Sequence, residues 1–147
     1  MKILLIEDDP GTLEVIKFCL EIYKPDASII CTTVGREGIK LAKNASPDAI
    51  IVDLMLPDID GESAIREIRR FSNVPILISS AKSESEALAA TRSSGADDYI
   101  TKPYNSPELI GKLDRIVNLK SKTPLIEDWP FSHFPQAIKR LNNCTYP

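Results

Sequence analysis

The chain has 147 residues, 43% hydrophobic and 27% charged, a composition that can bury a globular core. Its 18 basic and 21 acidic residues leave a net charge of −3, which argues against a nucleic-acid-binding surface. No apolar run reaches the roughly 18 residues of a membrane span, and the run 3–6 is too short for a secretion signal, so a cytoplasmic location is expected.

The chain alternates short apolar runs with longer amphipathic stretches. Residues 3–6 (Ile-Leu-Leu-Ile) read as a first strand. Asp9-Pro10 has the form of an N-cap followed by proline in the first helical turn. Leu13, Ile16, Leu20 and Tyr23 then recur at helical spacing until Pro25 ends the segment. Residues 28–32 form the second run. Residues 38–44 fit a short helix with Ile39, Leu41 and Ala42 as packing positions. The third run is 49–52. After it Gly61 opens a helix that packs through Ala64, Ile65, Ile68 and Phe71, with Arg66, Glu67, Arg69 and Arg70 on the outer side. Residues 75–78 are the fourth run. Ser83 and Glu86 predict a capping box, and Gly95 stands where that helix should stop. The fifth run is 99–101. Ser106-Pro107 opens the last helix, with Leu109, Leu113, Ile116 and Val117 on one face.

Three of the runs are nearly continuous in Ile, Leu and Val, as strands buried on both faces of a parallel sheet are. Five strand–helix units in about 120 residues predict an α/β fold, a doubly wound five-stranded parallel sheet with five helices. Residues 1–120 would form this domain. Residues 121–147 change character: a linker at 121–124, then Trp129-Pro130-Phe131, His133, Phe134 and a short helical pattern at 136–142, too small to fold alone. The aromatic residues are expected to patch the domain's own surface and His133 to be solvated. Cys19, Cys31 and Cys144 show no CxxC and no neighbouring histidine cluster; they are expected as reduced thiols, with Cys19 and Cys31 in or near the core.

In doubly wound sheets the functional crevice lies beyond the carboxyl ends of the strands. The first strand ends in Glu7-Asp8-Asp9, the third in Asp53 and the fourth in Ser79-Ser80, and the fifth is followed by Lys102-Pro103. Crowded carboxylates repel, and a hard divalent ion such as Mg²⁺ relieves the repulsion while leaving positions open for phosphate oxygens. A lysine and a hydroxyl opposite would hold the remaining oxygens, and phosphoryl transfer needs little beyond such positioning and charge neutralisation. A carboxylate can itself be the covalent acceptor.

Four stretches, Ile3 to Asp9, Asp53 to Gly61, Ile78 to Lys82 and Gly95 to Tyr104, together resemble the receiver domain of bacterial two-component response regulators over residues 2–119. The resemblance implies the flavodoxin-like, CheY-like strand order 2-1-3-4-5. It implies that Asp53 is the phosphorylated nucleophile. Glu7, Asp8 and Asp53, with the backbone carbonyl of Met55, would bind Mg²⁺. Ser80 would bond the phosphoryl group, Lys102 would pair with it, and Tyr99 would be an aromatic switch. A cis Lys102-Pro103 peptide is also implied. Ser79 competes with Ser80, since strand register decides which hydroxyl faces the site. Ser80 stands where threonine is common, and Glu7 where aspartate is. Leu88-Ala89-Ala90-Thr91 lacks the basic residues used for dimerisation by the DNA-binding subfamily.

The function so implied is that of a phosphorelay module rather than a turnover enzyme. Its partners would be a histidine kinase or phosphotransfer protein, and an output protein or domain bound through the face of the fourth helix, fifth strand and fifth helix. No contact with nucleic acid or membrane is expected, and a homodimer stays open. The alternative is the regulatory part of a transcription factor whose DNA-binding domain is missing. A phosphohydrolase of the haloacid-dehalogenase-like class would need a second acid two residues after the nucleophile, where Met55 stands.

Overall fold

The computed structural model describes residues 1–121. Its order is β1 (Lys2–Ile6), α1 (Pro10–Tyr23), β2 (Ser28–Thr32), α2 (Gly35–Ala45), β3 (Ala49–Asp53), α3 (Gly61–Arg69), β4 (Ile76–Ser80), α4 (Glu84–Ser94), β5 (Asp98–Thr101) and α5 (Ser106–Ser121). The five strands pair in parallel in the order β2-β1-β3-β4-β5, which is the doubly wound α/β topology expected. Expectations for 122–147, including Trp129, Phe131, His133, the helix at 136–142 and Cys144, lie outside the described residues. α5 runs through Ser121, one residue past the boundary drawn from sequence.

Strand alternation divides the core in two. Ile3, Leu5, Ile51 and Leu77 face α1 and α5, where they meet Ile16, Cys19, Leu20, Leu109, Leu113 and Ile116. Leu4, Ile6, Ile50, Val52 and Ile78 face the other way, onto Ala42 of α2, Ile65 and Ile68 of α3 and Ala90 of α4. Because β3 and β4 are buried along their whole length, their carboxyl ends deliver Asp53, Ser79 and Ser80 to one edge in a fixed register.

Local chemistry explains most boundaries. The Asp9 carboxylate accepts from the Thr12 amide at 2.9 Å and caps α1. Ser83 and Glu86 form the reciprocal box at the start of α4. Gly95 ends that helix at φ 93°, a conformation that costs a side-chain-bearing residue but not glycine. The Lys102-Pro103 peptide is cis.

Several expectations are corrected. α2 begins at Gly35, three residues before the sequence pattern. Val34 gives it no side-chain cap; Asp58 does, accepting from the Gly35 amide at 2.8 Å and the Arg36 amide at 2.9 Å. Tyr23 is 49% exposed at the end of α1, and Phe71 lies beyond the end of α3, 40% exposed. Cys31 is exposed, because β2 is an edge strand with only partial cover, whereas Cys19 is buried. Arg69 is not an outer residue. Its guanidinium donates to the carbonyls of Gly95, Ser72 and Val74 and pairs with Asp97 at 2.9 Å. Burial pulls its pKa down, against the opposing pull of Asp97.

Candidate functional site

The carboxyl edge of the sheet gathers Glu7, Asp8, Asp53 and Lys102. Glu7 and Asp53 are buried, Asp8 is exposed, and one carboxylate oxygen from each of the three lies within 4.8 Å of the others. The Lys102 ammonium donates to Glu7 Oε2 at 3.1 Å, Glu7 Oε1 at 3.2 Å and Asp53 Oδ2 at 3.3 Å. The end of β1 leads into Glu7, β3 ends in Asp53, and the turn after β5 brings Lys102 across the sheet.

Two backbone features hold Asp53. Its Oδ1 accepts from the Met55 amide at 3.0 Å, which turns the chain sharply after β3. Gly61 then returns against it: its amide donates to the Leu54 carbonyl at 2.8 Å, and a Cβ there would meet the Asp53 carbonyl oxygen at 2.3 Å. Asp58, by capping α2, ties the same loop to a second element. Met55 itself is exposed.

Electrostatics follow from this crowding. Burial, and then the Asp53 charge, push Glu7 up to about 7, against the pull of Lys102. Burial acts to lower the Lys102 pKa, but the hydrogen bond it donates to Glu7 and the charges of Asp53 and Glu7 outweigh it, so Lys102 stands above its ordinary value. Two buried acids with a third beside them offer a hard oxygen donor set suited to Mg²⁺. When such an ion binds, the ammonium's share in neutralising the acids falls.

The two serines separate. β4 register pairs Ser79 with Asp53, and the Ser79 hydroxyl shares a 3.1 Å hydrogen bond with the Tyr104 hydroxyl. Ser80 is one residue further, at the strand's end. Its hydroxyl accepts from the Lys82 amide at 3.0 Å, and its carbonyl accepts from the Lys102 amide at 2.7 Å. Tyr99 lies half-buried on β5. Its hydroxyl donates to Glu84 of α4 at 3.1 Å, and the Lys112 ammonium sits 4.9 Å from its ring centroid. Burial, and then the bond to Glu84, raise the Tyr99 pKa. The roles of Asp58 and of Ser79 with Tyr104 were not legible in the sequence. Only the position of Tyr104, directly after Lys102-Pro103, marked it.

Among the described residues no helix is long and apolar enough to cross a membrane. Residues 3–114 match the family model described as the response regulator receiver domain. The chain is 38% identical over 118 residues to the cell cycle transcriptional regulator CtrA of Caulobacter vibrioides, covering 80% of this chain and 50% of that one. It is 35% identical over 126 residues to the response regulator ArlR of Staphylococcus saprophyticus, covering 86% and 56%. The chain thus spans about half the length of these curated relatives. Among solved structures it is similar to the receiver domain of the Pseudomonas aeruginosa sensor histidine kinase PA1611. That match has a TM-score of 0.72 and 32% identity, and covers 80% of this chain and 97% of that one. The neighbour was solved with a magnesium ion coordinated in its active site cleft. The BeF3-activated N-terminal receiver domain of Klebsiella pneumoniae RstA matches with a TM-score of 0.71 and 26% identity, covering 80% and 98%. With the parallel 2-1-3-4-5 sheet and the acid–lysine cluster at its carboxyl edge, these matches lead to one statement: this chain belongs to the response regulator receiver domain family.

Proposed function

We propose that the chain is a phosphoacceptor: Asp53 takes a phosphoryl group from the phosphohistidine of a kinase or phosphotransfer protein, and the modified state alters a partner-binding face. The observation that carries this reading is the Lys102 ammonium, 3.1 Å from the Glu7 carboxylate and 3.3 Å from that of Asp53. A nucleophilic carboxylate, a second buried acid and a cation share one pocket.

In the transfer an Asp53 carboxylate oxygen forms a bond to phosphorus as the donor's P–N bond breaks, and the imidazole leaves after gaining a proton. Glu7, Asp8 and Asp53, with the Met55 carbonyl, would hold Mg²⁺, which when bound neutralises the phosphoryl oxygens. Lys102 is already aimed at Asp53 and would pair with the transferred group. The Ser80 hydroxyl would exchange its Lys82 amide for a phosphoryl oxygen. Tyr99, fastened outward to Glu84, would turn inward when Ser80 and its loop move. The face of α4, β5 and α5 would change for an output partner or a second copy. The chain would act in the cytoplasm, once per phosphorylation and not as a turnover enzyme.

The test is incubation with a small phosphoramidate or acyl phosphate and Mg²⁺. Labelling of wild type but not of Asp53→Asn supports the assignment; equal labelling of both overturns it. Rapid turnover of phosphate esters would instead favour a hydrolase. A second reading, the receiver part of a longer transcriptional regulator, is favoured by the coverage of about half of CtrA and ArlR. A DNA-binding segment encoded in frame beyond residue 147 would support it.

A further inference from the structure

The hydroxyls of Tyr104 and Ser79, the register neighbour of Asp53, share a hydrogen bond of 3.1 Å, and no role given above uses it. Ser79 is fully buried in a strand otherwise built of Ile, Leu and serine. Its register partners are Asp53 on β3 and Ile100 on β5, so its side chain leaves the sheet on the side that Asp53's does. Tyr104 lies two residues after Lys102, in the turn into α5. Its ring packs against the α1–α5 half of the core. Burial raises the pKa of its phenol and the bond to Ser79 lowers it, with Lys102 and Glu7 also acting on it, which puts the phenol within electrostatic reach of the pocket.

A buried hydroxyl without a partner is costly, and among the described residues no buried side-chain nitrogen or oxygen lacks one. Phenylalanine at 104 and alanine at 79 would pack the same space without polar atoms. The hydroxyls therefore do something packing does not require. Lys102 is tied to β4 once through its own backbone, by its amide to the Ser80 carbonyl at 2.7 Å. The Tyr104–Ser79 bond is a second tie, two residues later in the turn and one residue earlier in β4. One tie is a pivot; two fix the twist of the peptide between them.

We infer that Tyr104 is a positioning residue, whose hydroxyl, clamped by Ser79, sets the turn from which the Lys102 ammonium faces Glu7 and Asp53. The consequence for phosphoryl uptake rests on the phosphoacceptor reading; the clamp itself does not.

The experiment compares wild type, Tyr104→Phe, Ser79→Ala and the double variant by three readouts. The first, made without phosphodonor, is the hydrogen exchange of the Lys102 ammonium, followed by ¹⁵N NMR at low temperature. The second is the maximum rate of Asp53 labelling by phosphoramidate at saturating Mg²⁺. The third is the Mg²⁺ dissociation constant from calorimetry. The expected result is faster Lys102 exchange and a labelling rate lower by about 3- to 10-fold in each single variant, the size of one lost hydrogen bond. Mg²⁺ affinity should hold or tighten, because the acids are untouched and only their ammonium is loosened, and the double variant should lose no more than either single, since both remove one bond. Wild-type exchange in Tyr104→Phe, or losses that multiply in the double variant, would overturn the clamp. If Tyr104→Phe fails to fold, Ser79→Ala decides by the same readouts. A wild type that takes no phosphoryl group sinks the phosphoacceptor reading alone, and the exchange measurement still decides the clamp.

Discussion

The Lys102 ammonium lies 3.1 Å from the Glu7 carboxylate, across 95 residues of sequence, and 3.3 Å from Asp53. It is a built-in cation in a pocket of acids. It makes two buried carboxylates tolerable in one place, and it stands where a phosphoryl group would need a positive charge.

Glu7 makes the metal-free protein pH-sensitive. Its pKa is raised from 4.5 to about 7 on folding, so the folded state holds this proton more tightly than the unfolded chain. The contribution is fully favourable below pH 4.5 and is lost as pH rises through 7, at about 1.4 kcal/mol per unit of separation. Urea midpoints in EDTA should fall between pH 5.5 and 7.5, and saturating Mg²⁺ should flatten the decline. A midpoint that climbs across this window without metal would contradict the Glu7 environment.

Removing the built-in cation should strengthen metal binding while weakening the chemistry. Lys102→Ala leaves Glu7 and Asp53 without their shared ammonium, so the acids attract Mg²⁺ more strongly. Calorimetry should show a lower dissociation constant, and phosphoramidate labelling of Asp53 should slow at least about tenfold. Weaker Mg²⁺ binding in this variant would show that Lys102 organises the acids and does not merely compete with metal.

Gly61 is required by close approach. In Gly61→Ala the added carbon would meet the Asp53 carbonyl oxygen at 2.3 Å and the Leu54 Cα at 2.5 Å, both backbone atoms that cannot swing away. A loss of about 2–3 kcal/mol in urea unfolding is expected, with the Asp53 loop displaced and Mg²⁺ affinity reduced. An unchanged midpoint would mean that α3 can retreat from β3.

Arg69 locks the pole opposite the pocket. It binds the carbonyls of Gly95, Ser72 and Val74 and the Asp97 carboxylate, which also takes the Ile76 amide at 2.8 Å. Arg69→Ala removes the donor from the part-buried Ser72 and Val74 carbonyls and the charge partner from Asp97, which keeps the Ile76 amide and Lys120, at a cost of about 2–3 kcal/mol. Chemical denaturation measures this, and a change under about 0.5 kcal/mol, the usual size at a surface position, would return Arg69 to the outer face.

Asp58 joins the site loop to α2. Asp58→Ala removes the acceptor for the Gly35 and Arg36 amides. Those two amides should exchange faster with deuterium, and the Mg²⁺ dissociation constant should rise through the loosened Met55 loop. Faster exchange with unchanged metal affinity would confine Asp58 to helix capping.

The features legible in sequence were those with a short-range cause. Strand runs, the Asp9 cap, the Ser83–Glu86 box and the Gly95 stop depend on neighbours a few residues away, and the structure has them where periodicity and capping chemistry put them. The start of α2 escapes the local pattern because its cap, Asp58, lies 23 residues downstream. Helical spacing alone puts Arg69 beside Arg66 and Arg70 on the outer side, whereas its partners come from the α3–β4 and α4–β5 connections.

Apolar periodicity is enough to place the strands, the helices and the positions of Glu7, Asp53 and Lys102 at strand ends, and a parallel sheet brings those ends to one edge. Only the folded packing brings the three side chains within hydrogen-bonding distance, turns Ser79 to Tyr104 and, by burial beside Asp53, raises the Glu7 pKa. Those are matters of burial and of charges converging from distant segments, and an electrostatic field is set by distance in space and not by separation along the chain.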